Sequence, residues 1–409
     1  MTASRRPRIA FFDYPDVFED FYPHYGVDQR AFATRWAATG NHGFVRLLQR
    51  ELADVTWYTQ SLEPELDEAV HQVTGARVCF RRSSAAHRAL WRGFYLSDHA
   101  WRWRRAYPAF AIAASYLAPL SGDLLRALWR DRPDLIFSQD YSSGRFDVLL
   151  AVARLLGVPL VAYHSGSVAE RYVGRLAKRF TIRRADRVLV SSEAERRMLI
   201  DRFGVAPERA RTILTPIDTE VFRPRVFHPG GRGRRRVVFV GRLDDSVKRV
   251  SVLIQAFAEI APDHPDAELV VAGNGEDEAR LRELARELAP DRVQFPGWIS
   301  DTEELADLLG TAHCVALPSI SEGFPTVVGE ALACGTPVLA SAVGGIPDVV
   351  VPGRNGWLVP PDDPAALAAA LTGALGADIE PLRREARRTA EERLAPTVVA
   401  DQLRELLPL

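Results

Sequence analysis

The chain lacks what several large protein classes require. It has 3 cysteines in 409 residues, Cys79, Cys314 and Cys334, and no two form a Cys-x-x-Cys pair. That argues against a disulfide framework or a thiolate metal site, and three reduced thiols suit a reducing cytoplasm. No apolar run reaches the about 20 residues that span a bilayer. The longest weakly charged stretch, 108–122, is interrupted by Pro119. Met1 to Pro7 leads straight into a strand-like segment, with no apolar region or small-residue cleavage site of a secretory signal. No Asp-x-Asp triplet occurs anywhere, so one common way of clamping a divalent metal against phosphates is missing. Net charge is also nearly absent, at -1, with 47% hydrophobic and 26% charged residues. This is the balance of an ordinary globular protein, not of a nucleic-acid binder.

The near-zero charge hides an asymmetry, because residues 1–215 carry +9 and residues 216–409 carry -10. A single core stops growing near about 250–300 residues, so this length predicts two domains. Apolar runs alternate with helical patterns throughout. Strands are expected at 9–12, 55–58, 135–138, 160–163 and 187–190, then at 237–240, 268–272, 293–295, 314–317 and 338–340. Several are apolar along their whole length, as strands of a parallel sheet buried on both faces should be. The basic, Gly- and Pro-rich stretch 222–233 reads as a linker. The expected fold is therefore α/β, with two Rossmann-like doubly wound domains facing each other across a cleft. The N-terminal domain is placed at 1–215 and the C-terminal domain at 216–394, with a last helix at 395–409 that can pack back on the first domain. Ligands in such folds sit beyond the carboxyl ends of the strands.

Chemistry-bearing residues gather at those ends in the second half. Gly241-Arg242-Leu243 follows a strand, and Lys248 comes six residues after Arg242; a planar fork and a point charge suit a diphosphate. Tight turns follow at Gly273-Asn274-Gly275 and after Phe295. The richest stretch runs from Pro318 to Val338 through Glu322-Gly323-Phe324-Pro325-Thr326-Val327 and Glu330. Pro325 or Thr326 starts a helix whose free N–H groups and positive dipole end can hold phosphate. Glu322 and Glu330 flank that point and can accept hydrogen bonds from sugar and ribose hydroxyls. Taken singly, each of these features is as well read as a solvated loop.

Together they resemble glycosyltransferase family 4. Arg242, Lys248, the Glu322/Glu330 pair, Gly323-Phe324-Pro325, Ala333-Cys334-Gly335-Thr336-Pro337-Val338, Gly344-Gly345-Ile346-Pro347-Asp348 and Asn355-Gly356-Trp357-Leu358-Val359 occur in that family's order. The resemblance implies a GT-B fold and a retaining, metal-independent transfer of a sugar from a nucleotide-diphosphate donor, with uridine favoured over guanosine or thymidine. The acceptor is left open among a lipid-linked glycan, a polysaccharide and a small metabolite. No cofactor is implied, because the nucleotide sugar is a substrate. The donor site would comprise Gly43, Arg242, Lys248, Asn274, Phe295, Glu322, Gly323, Phe324, Pro325, Thr326, Val327 and Glu330. Arg242, Lys248, Glu322 and His164 would carry the chemistry.

The first half matches more loosely. Residues 133–140 resemble the family's strand ending near the cleft. Residues 157–166 resemble the strand bearing its cleft histidine, here His164. Gly40-Asn41-His42-Gly43-Phe44-Val45-Arg46-Leu47-Leu48 resembles the glycine-rich loop and first helix, with Gly43 the point of close backbone approach. One departure is that Leu214-Thr215-Pro216-Ile217 stands where a Pro-Asn-Gly turn is usual, although Asp218, Phe222 and Pro224 remain. Residues 71–110 hold eight arginines against the single acid Asp98, with Trp91, Trp101 and Trp103 among them. This segment is expected to meet anionic lipid at the inner face of the cell membrane or an anionic acceptor, or else to be a solvated face. Two other readings compete with the transferase: a GT-B sugar-nucleotide epimerase, and a non-catalytic nucleotide-sugar-binding relative.

Overall fold

The computed structural model describes residues 5–36, 40–95, 107–166, 175–225 and 235–409. Two sheets organise it. The first contains β1 (Arg8–Phe12), β2 (Asp54–Ser61), β3 (Glu68–Val70), β4 (Arg77–Arg82), β5 (Leu135–Gln139), β6 (Leu160–His164), β7 (Arg187–Val190) and β8 (Ala210–Thr212). Its order is β3-β4-β2-β1-β5-β6-β7-β8. The second contains β9 (Arg235–Val240), β10 (Ala267–Ala272), β11 (Val293–Gly297), β12 (Cys314–Leu317), β13 (Val338–Ser341) and β14 (Gly356–Val359), in the order β11-β10-β9-β12-β13-β14. The first sheet is parallel apart from β3 on β4, and the second is parallel throughout.

Alternation along β1 shows how the strands are buried. Ile9 and Phe11 enter one apolar layer while Ala10 and Phe12 enter the other, the period of two that a pleated strand imposes. Phe11 stacks on Phe137 at 5.4 Å and meets the edge of Trp57 at 5.6 Å. The helix Pro396–Leu406 sends Val399, Ala400 and Leu403 into that same layer, so the end of the chain completes the core of the first half. A third apolar layer is built around the second sheet. The backbone passes between the halves twice, and Ile217 N–H donates to the Leu394 carbonyl at 2.9 Å where the two crossings meet.

All ten expected strands are present, and β3, β4, β8 and β14 are additional. β4 is hidden in the sequence because Arg77, Arg81 and Arg82 make it read as a basic surface. The fold neutralises two of them: Arg77 pairs with Glu68 and Asp131, and Arg81, 7% exposed, pairs with Glu68. These arginines are therefore withdrawn from any anionic surface that residues 71–110 could present. Arg102, Arg104 and Arg105 lie outside the described residues, as does the linker from 226 to 234. The three thiols are buried, and burial raises Cys79 to about 11 and Cys314 and Cys334 to about 12. Among the described residues no single helix is long and apolar enough to cross a membrane.

Candidate active site

In the second sheet the strand order turns back at β9, with β10 on one side and β12 on the other. A crevice opens at such a point above the carboxyl ends of the two strands. Gly241 and Arg242 follow β9, and the 318–325 loop follows β12. The loops after β9 and β10 pack backbone on backbone. Gly273 has φ 140°, and a Cβ there would lie 1.9 Å from the Gly241 carbonyl oxygen; one on Gly275 would lie 2.5 Å from that of Leu243. Only glycine fits both places. Leu243 N–H donates to the Asn274 carbonyl at 2.8 Å, while the Asn274 side chain stays exposed.

This frame brings two sequence-predicted residues together. Lys248 Nζ donates to Glu322 Oε1 at 2.6 Å, with the side chains only 16% and 10% exposed. Arg242 stands apart and is 58% exposed, its nearest carboxylate being Asp244 at 3.7 Å. Pro325 caps the helix Thr326–Ala333 in extended geometry. Proline has no N–H to lose there, and the first N–H groups of a helix have no partner within it. Phe324 and Val327 are buried in the core, so they can offer a ligand their backbone groups alone. Glu330 sits in the second turn, where burial pushes its carboxyl up to about 7. Phe295 is partly engaged already, since the Arg282 guanidinium lies over its ring at 4.8 Å.

The first sheet turns back between β1 and β5, and a cavity of about 180 Å³ opens there, lined by Asp13, Tyr14, Tyr22, Gln139, Asp140 and His164 among others. Side chains build this site. Asp13 accepts from the Tyr22 hydroxyl and the Tyr14 N–H. Asp140, at φ 84°, accepts the N–H groups of Ser142 and Ser143 at 2.6 and 3.1 Å. Arg145 donates to the carbonyls of Tyr14, Pro15 and Gln139, tying the loop after β1 to the end of β5. Burial pushes the nearby carboxyls of Asp16 and Asp20 up to about 6 and about 7.

His164 ends β6, and its Nδ1 lies 2.6 Å from Glu195 Oε1. Burial alone would lower the imidazole pKa, but the Glu195 carboxylate outweighs it and the net direction is upward. Tyr141 also donates its hydroxyl to Glu195 Oε1.

The two sites face each other at contact distance. A Cβ on Gly323 would lie 2.0 Å from the Ser165 carbonyl oxygen and 2.4 Å from that of Gly166, the two residues after His164. Asp348 reaches across to accept the Glu193 N–H at 2.7 Å. Gly43, in the helix Gly40–Leu47, approaches Pro216 at the crossing, where a Cβ would lie 3.3 Å from its carbonyl oxygen.

Sequence reasoning missed Glu195, Tyr141, Asp13 and Arg145. Each is a common polar residue in an ordinary segment, and only the turn-back of the first sheet brings them together. Asp348 was noticed as part of a motif, but the contact it makes was not.

Comparison with known proteins bears on this geometry. The model of "Glycosyltransferase Family 4" matches residues 37–221 and that of "Glycosyl transferases group 1" matches 225–393. D-inositol 3-phosphate glycosyltransferase of Acidothermus cellulolyticus is 32% identical over 310 residues, covering 67% of each chain. This chain belongs to the family 4 glycosyltransferases. The MMP alpha-(1->4)-mannosyltransferase of Mycolicibacterium hassiacum is 35% identical over 261 residues, 63% of this chain and 60% of that protein. HepE of Anabaena, solved in complex with UDP, superposes with a TM-score of 0.70 at 18% identity, covering 97% of this chain and 98% of that one. Sucrose-phosphate synthase of Thermosynechococcus elongatus gives 0.69 at 24% identity over 98% of both. The two solved structures establish the GT-B fold for this glycosyltransferase.

Proposed function

We propose that this glycosyltransferase moves a sugar from a nucleoside diphosphate donor, with uridine favoured, to an acceptor hydroxyl, retaining anomeric configuration and using no metal ion. The observation that carries the reading is the Lys248–Glu322 pair at the start of the helix Thr326–Ala333, with His164 just across Gly323. Departure of the diphosphate builds negative charge on its β-phosphate. Lys248, Arg242 and the N–H groups of Thr326 and Val327 supply donors for that charge, and the helix N–H groups, held by the fold, are the kind of preorganised electrostatics that lowers such a barrier. Donor binding separates Lys248 from Glu322, freeing the carboxylate to accept sugar hydroxyls and fix the donor's orientation. Glu330 takes the ribose hydroxyls. The acceptor oxygen joins the anomeric carbon on the face the diphosphate leaves, and its proton passes to the departing phosphate oxygen.

The uridine preference draws on the Glu322-Gly323-Phe324-Pro325 sequence and on the HepE structures, solved with UDP and with UDP-glucose. The metal-free reading draws on the cations and helix N–H groups just named. Calorimetry with UDP, GDP and dTDP, followed by donor hydrolysis and transfer in chelator, tests both. UDP should bind tightest, and turnover should survive chelation. Failure of all three nucleotides to bind defeats the donor site. Turnover lost to chelator and restored by manganese defeats the metal-free part. Recovery of an epimerised sugar with free UDP would favour the epimerase instead.

A further inference from the structure

We infer that Glu195 is a positioning residue for the transfer reaction, holding His164 through Nδ1 so that Nε2 faces the side of the cleft where Gly323 meets Gly166. The inference rests on the reading above and concerns its histidine.

Three observations carry it. The first is where Glu195 stands in its helix. Ser192 is the N-cap of the helix Glu193–Phe203, and its hydroxyl accepts the Glu195 N–H at 3.2 Å. A Ser-x-x-Glu capping box normally returns the Glu carboxylate to the N-cap N–H. Here that carboxylate turns inward, and its Oε1 is shared by Tyr141 and His164. Second, Glu195 is fully buried. Burying a carboxylate is strongly unfavourable unless it is paired, so a helix cap alone gives no reason for it. Third, the other ring nitrogen is placed for use. A Cβ on Gly166 would lie 2.9 Å from His164 Nε2, and the Gly166 carbonyl, with that of Ser165, is where Gly323 packs.

The consequence concerns protonation. With Nδ1–H donated to the carboxylate, Nε2 is an acceptor in the neutral ring and a donor in the imidazolium. A carboxylate behind the ring stabilises the imidazolium and extends the pH range in which Nε2 donates. The other groups facing the ring are Tyr141 and Asp140 from the loop after β5, and Asp13, Tyr14 and Tyr22 from the segment after β1. Of these, the Asp140 carboxylate acts in the same direction as Glu195.

The test uses the full-length enzyme with UDP-sugar turnover and nitrogen-detected histidine NMR, the His164 signal being assigned by its loss in His164→Gln. Glu195→Gln is expected to lower kcat at least about tenfold with KM changed less than about threefold. UDP affinity should stay within about twofold. The His164 midpoint and the alkaline limb of the rate profile should move to lower pH together. Glu195→Asp should recover part of both. Tyr141→Phe removes the competing donor to Oε1 and should move the midpoint upward, a check that remains if Glu195→Gln folds poorly. An unmoved His164 midpoint in Glu195→Gln overturns the inference. So does a fall in kcat with an unchanged pH profile, which would make Glu195 a brace only. Wild-type protein that turns over no sugar nucleotide defeats the glycosyl-transfer reading itself, whereas turnover with an unmoved midpoint defeats only the Glu195 assignment.

Discussion

The two halves build their sides of the cleft from different materials. In the second half the site is backbone: Gly273, Gly275 and Gly323 let loops touch where no side chain fits, and charges are set into that frame. In the first half it is side chain: Asp13 on Tyr22, Arg145 on three carbonyls, and His164 on Glu195. A glycine that packs on backbone tolerates nothing else, whereas a hydrogen-bonded network can be assembled from many residue sets. On the proposed reading the side assigned to the donor is thus fixed in kind, while the side assigned to the acceptor is free to vary.

The largest expected effect tests the glycine frame directly. Gly273→Ala must displace the Gly241 carbonyl and strain a φ of 140°, so it should destabilise the fold by roughly 3 kcal/mol or more and abolish UDP binding. Gly323→Ala has its nearest clashes across the cleft, with Ser165 and Gly166. It should leave UDP affinity within a few-fold while lowering transfer at least about a hundredfold. Thermal melts and calorimetry separate the two, and equal loss of UDP binding in both variants would erase the distinction between frame and closure.

Next in size is the pair set into that frame. Lys248→Ala should weaken UDP binding by about 1.5–3 kcal/mol, the worth of a charged hydrogen bond. Glu322→Ala should lower transfer far more than UDP affinity, since its assigned partner is the sugar. The double variant should lose less than the sum of the two, because each single change also leaves a half-buried charge unpaired. Strict additivity in that cycle would mean the two side chains act independently.

The smallest effect is on stability and comes from Glu330, whose carboxyl titrates at about 7 in the fold against an ordinary value of 4.5. A raised folded-state value means the group favours the fold at acidic pH, and that contribution is lost as pH rises through about 7. Glu330→Gln should therefore melt higher than wild type at pH 8 and lose that advantage towards pH 5, while binding UDP more weakly at both. An advantage that does not vary with pH would show that Glu330 is not held in an environment hostile to its charge.

Legibility followed the same division. The glycine turns and the Glu322-to-Pro325 run stand out in the sequence because backbone contact restricts residue type severely. Strands buried on both faces, such as β12 with its Cys-Val-Ala-Leu, are visible as unbroken apolar runs. β4 was not, because its arginines find Glu68 and Asp131 only once the chain is folded. Glu195 is an ordinary acid near a helix start, and nothing local distinguishes a capping glutamate from one that holds a histidine. What the sequence hides here is pairing between residues far apart along the chain, such as Tyr141 with Glu195.

The double crossing at Ile217 and Leu394 has a mechanical meaning. Since the helix Pro396–Leu406 returns to the first half, the second half is topologically an insert carried on two adjacent strands of backbone joined by a hydrogen bond. A lobe hung on one strand can swivel freely, but a lobe hung on two tied strands behaves like a door on a pair of pins, free to swing about the line joining them and stiff against twisting. Opening to admit a nucleotide would then carry Gly323 away from Gly166 along one arc, and reclosing would bring it back to the same place on every turnover.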